Sequence, residues 1–201
     1  MSWLLELCLV ELPIYELTIS EDEQTGVDYV AFVDYPAIER NWMAFNKPYQ
    51  FKVQDEEKRV VMGPLMVANQ PIVRVDGAGQ KYYVVFSADT ISKIVKRFFK
   101  KGFTANVNQM HNSRMIADKC YMIESFIIDT KRGIHTPDNF GTLPDGSWFG
   151  SYQIDNEKIW EKVKAGEFNG FSVEGMFEEM ALMDVEENLV DELMEALINN
   201  Y

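Results

Sequence analysis

The sequence predicts a β-rich α+β domain, and three observations support this prediction. Short segments of alternating apolar and polar residues recur along most of the chain, separated by turn signals rich in Gly, Pro and Asp. One segment, residues 87–102, has the periodicity of an amphipathic helix, and a second, shorter one ends at Gly166. With 201 residues, of which 47% are hydrophobic and 13% aromatic, the chain is long enough for one substantial core.

Strand-like segments fill most of the first half of the chain. Polar turns divide them at 20–26 and 55–58, and at Asp76-Gly77-Ala78-Gly79, a sequence that favours a β-hairpin. Pro64 and Pro71 are interpreted as breaks, because proline cannot donate a hydrogen bond to a neighbouring strand. The predicted strands are residues 12–19, 27–33, 49–53, 59–67, 72–75 and 81–86.

The clearest helix follows at residues 87–102. Ser87 or Asp89 is expected to cap its first turn, and Gly102 to end it. Lysine and arginine crowd its C-terminal end, where the helix dipole favours cations. Its apolar stripe has the spacing of a core-facing surface and consists of Ile91, Ile94, Val95, Phe98 and Phe99.

The second half is predicted to alternate strands with one more helix. A polar turn at Asn112-Ser113-Arg114 is expected to separate an extended segment ending in His111 from the next strand. Asp155 is the expected N-cap of the helix, and Gly166 its end. The predicted elements are an extended segment at 103–110, a strand at 119–129, a loop at 130–146, a strand at 148–154, a helix at 155–166 and a strand that runs to about residue 180.

The chain is expected to divide into a domain at residues 1–180 and a tail at residues 181–201. In the tail, apolar residues recur at helical spacing and acidic residues lie between them, which predicts an acidic amphipathic helix. Two interpretations stay open for it. The tail is either packed on its own domain or a detachable docking element.

The charge balance restricts the classes of ligand. A formal net charge of −13 and a sequence pI near 4.6 argue against nucleic acid, because phosphate binding needs a basic surface. The acidic balance fits a soluble protein with basic or polypeptide partners.

Metal, cofactor and membrane functions are not predicted. Cys8 and Cys120 form no CxxC pair and are interpreted as free thiols in a reducing compartment. Only two histidines are present, which nearly excludes a His/Cys metal site, and no EF-hand spacing occurs. The N-terminal apolar segment is interrupted by Glu6 and Glu11 and has no cationic leader, so neither a signal peptide nor a membrane span is expected.

Ser172 is the candidate nucleophile, in the sequence Gly170-Phe171-Ser172-Val173-Glu174-Gly175. Serines in glycine-flanked strands are common and most are inert, so the assignment requires a base. His111 is the candidate base, because imidazole can take the hydroxyl proton near neutral pH. His135, in the long loop, is the rival base. The Gly-x-Ser-x-x-Gly spacing does not match the Gly-x-Ser-x-Gly elbow of α/β-hydrolases.

Four blocks of sequence occur together in this chain, and the last contains Ser172. They are residues 26–39, residues 103–111 ending in Asn-Gln-Met-His, residues 123–129, and residues 166–175. In this combination the chain resembles the XkdF-like family of phage serine proteases, the prohead maturation proteases of tailed phages.

The resemblance implies a fold and a set of catalytic residues. The implied fold is a herpesvirus-assemblin-like β-barrel with peripheral helices, with the serine and the histidine on neighbouring strands. Ser172 would be the nucleophile and His111 its base. A third group should orient the histidine; Glu124 is the first choice, Glu174 the second and Asp129 the third.

The resemblance also implies a function. The expected activity is that of a serine endopeptidase that cleaves segments of the phage scaffolding protein and major capsid protein through an acyl-enzyme, and also cuts itself before its tail. It would act in the host cytoplasm, inside the prohead. Assembly of several copies into a homo-oligomer is left as an open alternative. One alternative is a non-catalytic head-assembly protein with the same fold; another is a barrel-shaped binding module unrelated to phage.

Overall fold

A computed structural model describes residues 13–21, 24–34, 42–43 and 50–180 of the chain. The strands in these ranges are β1 (Ile14–Thr18), β2 (Gly26–Val33), β3 (Trp42–Met43), β4 (Lys52–Asp55), β5 (Val60–Met66), β6 (Ile72–Val75), β7 (Lys81–Val85), β8 (Val107–Gln109), β9 (Asn112–Ile116), β10 (Cys120–Ile127), β11 (Trp148–Ile154), β12 (Gly170–Met176) and β13 (Glu178–Met180). The helices are α1 (Ala88–Lys100) and α2 (Glu157–Lys164), with short 3-10 helices at Phe103–Ala105 and Thr130–Arg132.

The described strands form three sheets. Their strand orders are β13-β1-β7-β6-β3, β10-β11-β5-β4 and β12-β2-β8-β9. Most neighbours are antiparallel, but β1 pairs with β7 and β2 with β8 in parallel. None of the three closes on itself within the described residues. The prediction of a β-rich fold with helices is therefore confirmed, whereas the assemblin-like barrel stays a prediction.

One hydrophobic core joins the three sheets and both helices. Phe32 of β2 is fully buried, with its ring centroid 6.2 Å from that of Phe168 and 5.8 Å from that of Phe171. Phe98 of α1 meets Trp148 of β11 at 5.3 Å. Each buried ring contributes about 1.5–3 kcal/mol relative to an exposed one. The aromatic contacts of Phe32 hold β12 firmly against β2.

Helix α1 forms as the sequence predicts. Ser87 is its N-cap and accepts a hydrogen bond from the amide of Thr90 at 3.2 Å. Gly102 follows the C-cap with a φ of 72°, a conformation that favours glycine. Arg97 then ties the helix to the turn between β1 and β2, because its guanidinium donates to the carbonyl oxygens of Thr25 and Ser20, each at 2.7 Å.

The hairpin that carries His111 differs from the prediction. Residues 112–114 belong to β9 rather than to a turn, and the chain reverses one step earlier, at Met110 and His111. The polarity of residues 112–114 suggested a turn. The strand is exposed along its whole length, so the polar residues 112–114 are compatible with a strand.

Two further local predictions are wrong. Pro64 lies inside β5, opposite Phe149, instead of ending the strand. This is tolerated because β4 pairs with β5 only as far as Met62, which leaves Pro64 with a ladder partner on one side. The N-cap of α2 is Asn156, whose side chain accepts from the Ile159 amide at 3.2 Å, rather than Asp155.

The predicted tail at residues 181–201 lies outside the described residues, and so do residues 35–41 and 44–49. The division into a domain and a tail therefore stays a prediction.

Candidate active site

The turn after α2 sets where β12 begins. Gly166 has a φ of 72°, and the amide of Glu167 donates to the carbonyl of Lys162 at 2.9 Å, which closes the end of the helix. The amide of Asn169 then donates to the carbonyl of Val33, also at 2.9 Å. These contacts start β12 beside the end of β2.

Ser172 lies on the face of β12 that points away from the core. Its neighbours along the strand alternate, so that Phe171 packs against Phe32 in the core while Ser172 is partly exposed on the opposite side. Across the sheet, Ser172 is in register with Ala31 of β2, and Ala31 with Asn108 of β8. The three side chains therefore form one row across the sheet, with the small alanine in its centre.

His111 lies in a two-residue hairpin loop. Gln109 and Asn112 pair on either side of it, and Met110 and His111 both have a φ of 54°. Two consecutive residues with positive φ are the signature of a type I′ turn. The amide of Met110 donates to the carbonyl of Phe32 at 3.0 Å, which fixes the turn beside β2.

Glu174 is the carboxylate that the structure brings to His111. Its Oε2 lies 3.4 Å from Nδ1 of His111, and it also accepts a hydrogen bond of 2.8 Å from Nδ2 of Asn108. The side chain of His111 is 14% exposed and that of Glu174 36%. The imidazole is thus partly removed from water, while the carboxylate stays partly solvated.

A β-bulge follows Glu174 directly. The pairing of β12 with β2 shifts between Glu174 and Gly175. A Cβ atom at Gly175 would overlap the carbonyl oxygen of Gly26 and the backbone of Val27, so only glycine fits. Bulges bend a strand and redirect its side chains. The glycine that ends the Ser172 sequence therefore has a structural reason, one position after the carboxylate that contacts His111.

Ser172, Glu174 and His111 share one face of the sheet. Ser172 and Glu174 are two positions apart on β12, about 7 Å between Cα atoms at ordinary strand rise. The Ser172 hydroxyl forms no hydrogen bond, to His111 or to any other residue that the structure describes. Catalytic hydrogen bonds are often long or absent before substrate binds.

The contact with Glu174 determines which ring nitrogen of His111 is available. A carboxylate facing Nδ1 favours the tautomer that carries its proton there. Nε2 then keeps its lone pair and can accept a proton from a hydroxyl. This is the arrangement in which a histidine acts as a base towards a serine.

Most of the chain matches one protein family. Residues 49–181 match the family model described as "Putative phage serine protease XkdF". The chain belongs to this family. The matched range contains Ser172, His111 and Glu174, and it ends where the predicted tail begins. Of the four sequence blocks, only residues 26–39 fall outside it. Neither the curated proteins nor the solved structures gave a match.

Glu124 and Asp129, the other two carboxylates that the sequence offers for the XkdF-family site, do not contact His111. Glu124 is exposed on β10, in the β10-β11-β5-β4 sheet, where it accepts a hydrogen bond of 2.6 Å from the hydroxyl of Ser151. Asp129 caps the 3-10 helix that follows β10, and its carboxylate accepts from the amide of Arg132 at 3.2 Å. Both carboxylates are engaged in local contacts, and neither contacts His111 among the described residues.

His135, the rival base, is exposed in the loop between β10 and β11. It forms no hydrogen bond or ion pair with any residue that the structure describes. The site on β12 therefore has one histidine.

Asn108 is the member of the site that was given no role from the sequence. It belongs to the Asn-Gln-Met-His block that contains His111, and its position three residues before the histidine was the available signal. Its partner could not be inferred, because the register of β8 against β2 and β12 is needed to find it.

The described part of the XkdF-family chain contains neither a metal-binding cluster nor a membrane-spanning helix. No group of three or more His, Cys, Asp or Glu residues there is arranged to hold a metal ion. No helix there is long and apolar enough to span a membrane.

Proposed function

We propose that the chain is a serine endopeptidase in which Ser172 is the nucleophile, His111 the general base and Glu174 the group that orients His111. The carboxylate of Glu174 faces Nδ1 of His111 on the sheet face that carries Ser172, and this observation supports the proposal most directly. Membership of a family described as phage serine proteases supports the same reaction class.

The proposed reaction has two acyl-transfer steps. Ser172 Oγ attacks the scissile carbonyl carbon while Nε2 of His111 takes the hydroxyl proton. The tetrahedral intermediate then collapses, and the imidazolium returns the proton to the leaving amine, which leaves an ester on Ser172. Water, deprotonated by the same nitrogen, attacks this ester. The imidazolium then returns the proton to Oγ of Ser172 as the carboxylic acid is released. Throughout, the carboxylate of Glu174 stabilises the proton on Nδ1.

The proposed substrates are exposed segments of the phage scaffolding protein and major capsid protein, cleaved inside the prohead in the host cytoplasm. The family description supports the phage context, and the net charge of −13 supports polypeptide rather than nucleic-acid partners. Self-cleavage before the acidic tail is part of the proposal, as is an assemblin-like β-barrel fold with peripheral helices.

Co-expression with the head proteins tests the proposal. Wild type is compared with Ser172→Ala, and the fragments of the scaffolding and capsid proteins are identified by mass spectrometry. Ser172→Ala is expected to lower cleavage by about 10⁴-fold to 10⁶-fold. Ser113→Ala is the matched control, because Ser113 is an exposed serine on β9, close in sequence to His111.

Two outcomes would contradict parts of the proposal. Equal processing by wild type and Ser172→Ala would indicate a non-catalytic head-assembly protein. A stable full-length chain, found by intact-mass measurement beside fully cleaved capsid protein, would contradict self-cleavage alone.

A further inference from the structure

Asn108 is a fully buried amide that reaches the candidate site. It lies in β8 with an exposed fraction of 0%, in the same row across the sheet as Ala31 and Ser172. Its Nδ2 donates to Oε2 of Glu174 at 2.8 Å. The same oxygen lies 3.4 Å from Nδ1 of His111. Two side-chain nitrogen atoms therefore converge on one carboxylate oxygen.

The orientation of the Asn108 amide is fixed by this contact. Reversing the amide would place its oxygen against the carboxylate oxygen of Glu174, two acceptors with no proton between them. In the observed orientation Oδ1 is buried and has no partner among the described residues. A buried acceptor without a partner is unfavourable, and an apolar side chain of similar size would avoid it. Packing therefore does not explain an asparagine here, whereas the contact with Glu174 does.

Glu174 needs a second anchor. Its side chain is 36% exposed, and its contact with His111 is at the long end of hydrogen-bond distances. A flexible, partly solvated carboxylate held by one long contact is free to turn towards water. The shorter contact with Asn108 restricts Oε2 to the side of the imidazole.

We propose that Asn108 is the positioning residue of this site. It holds Oε2 of Glu174 where that oxygen accepts the proton of His111 Nδ1, and so leaves Nε2 free to face Ser172. The catalytic consequence rests on the proposed function. The effect on the tautomer of His111 does not, and it can be measured without any substrate.

The first test reads the histidine tautomers by long-range ¹H–¹⁵N NMR. The chain has only two histidines, and the exposed His135 serves as an internal reference. We expect His111 of the wild type to be protonated at Nδ1. Asn108→Leu, which fills similar space without a donor, is expected to shift His111 towards the Nε2–H form, as is Glu174→Ala, while His135 is unchanged. An unchanged His111 tautomer in Asn108→Leu, or in Asn108→Ala should the leucine variant not fold, overturns the proposal.

The second test is a double-mutant cycle on the rate at which a fluorophosphonate labels Ser172. Asn108→Leu is expected to slow labelling roughly 10-fold to 100-fold. In a Glu174→Ala background the same change should alter the rate by less than about threefold, because Asn108 acts through Glu174. If the two substitutions instead slow labelling by factors that multiply in the double variant, Asn108 and Glu174 act independently, and the proposal is overturned. Wild type that labels no faster than Ser172→Ala would instead contradict the proposed function, and the tautomer measurement would still decide the role of Asn108.

Discussion

Glu174 lies two positions beyond Ser172 on β12, and both side chains are on the sheet face where His111 is found. One strand therefore supplies the proposed nucleophile and the proposed orienting carboxylate, and the hairpin of β8 and β9 supplies the base. One strand, β2, with the small Ala31, lies between β12 and this hairpin, so the serine and the histidine are not on neighbouring strands as the resemblance implies.

Replacing Glu174 by glutamine tests this arrangement directly. Gln keeps the size of the side chain but loses the charge that stabilises the protonated imidazole. We expect the rate of fluorophosphonate labelling of Ser172 to fall by about 10²-fold to 10⁴-fold. Glu124→Gln is the matched control, because Glu124 contacts Ser151 in another sheet, and its rate should stay within about twofold of wild type. If Glu124→Gln slowed labelling and Glu174→Gln did not, the carboxylate that orients His111 would be Glu124.

In the turn that carries His111, one residue can be replaced to gain stability, whereas the other is needed for activity. A non-glycine residue in the left-handed region costs about 1 kcal/mol, and asparagine tolerates it best. Met110→Asn should therefore raise the free energy of unfolding by about 0.5–1 kcal/mol and leave activity unchanged, because Met110 is exposed. His111→Asn should preserve the fold but abolish activity.

Chemical denaturation and the labelling rate measure both effects. Met115→Asn is the matched control for the turn, because Met115 is similarly exposed but lies in β9 without a positive φ. It should give no gain in stability. A stabilising effect of Met115→Asn equal to that of Met110→Asn would show that the turn is not the cause.

The sequence predicts the elements of this fold better than it predicts the site. The strand at Trp148–Ile154 and the helix with Ser87 as its cap follow from local patterns, because alternation and capping depend on nearby residues. The turn at Met110 and His111 was missed, because neither residue is a usual turn former. The sequence predicts a break at Pro64, but the residue lies inside β5, because a strand that is partly unpaired accepts proline.

To predict which carboxylate lies near His111, one needs information that is not local in the sequence. The sequence favours Glu124, because its strand follows His111 in the chain. Glu174 reaches the histidine because β12 and β8 pair with opposite edges of β2, β12 antiparallel to it and β8 parallel. A bulge also lies directly after Glu174. Strand order and register set this contact, and neither can be read from residue spacing.

Replacing Tyr152, a residue of the core, by phenylalanine is expected to stabilise the protein. Its side chain is fully buried, its hydroxyl has no partner among the described residues, and burial raises its pKa well above the ordinary range. Tyr152→Phe keeps the ring contacts with Phe32 and Phe171 and removes the unsatisfied group. We expect the free energy of unfolding to rise by about 1 kcal/mol in chemical denaturation. Tyr121→Phe, which removes a hydroxyl that donates to Asp155 at 3.1 Å, should give no gain.

The buried thiol of Cys120 is expected to make the free energy of unfolding depend on pH in the alkaline range. Its thiol is buried, and burial, with a smaller effect of the nearby Asp155 and Asp118, raises its pKa from an ordinary 9.0 to about 12. Between these values the unfolded chain loses the thiol proton and the folded chain keeps it. Because the unfolded state then binds fewer protons, stability falls as pH rises. The contribution of the neutral thiol is complete below pH 9 and decreases from there towards pH 12.

The difference between two variants isolates this thiol. In a Cys8→Ser background, Cys120 is compared with Cys120→Ala by urea denaturation at pH 7 and pH 10. The stability advantage of the cysteine should be smaller at pH 10 by about 1.4 kcal/mol, the value of one pKa unit. The native thiol should also react with iodoacetamide far more slowly than the unfolded one at the same pH. An advantage that does not change with pH, together with rapid labelling of the native protein, would show that the thiol ionises in the folded state.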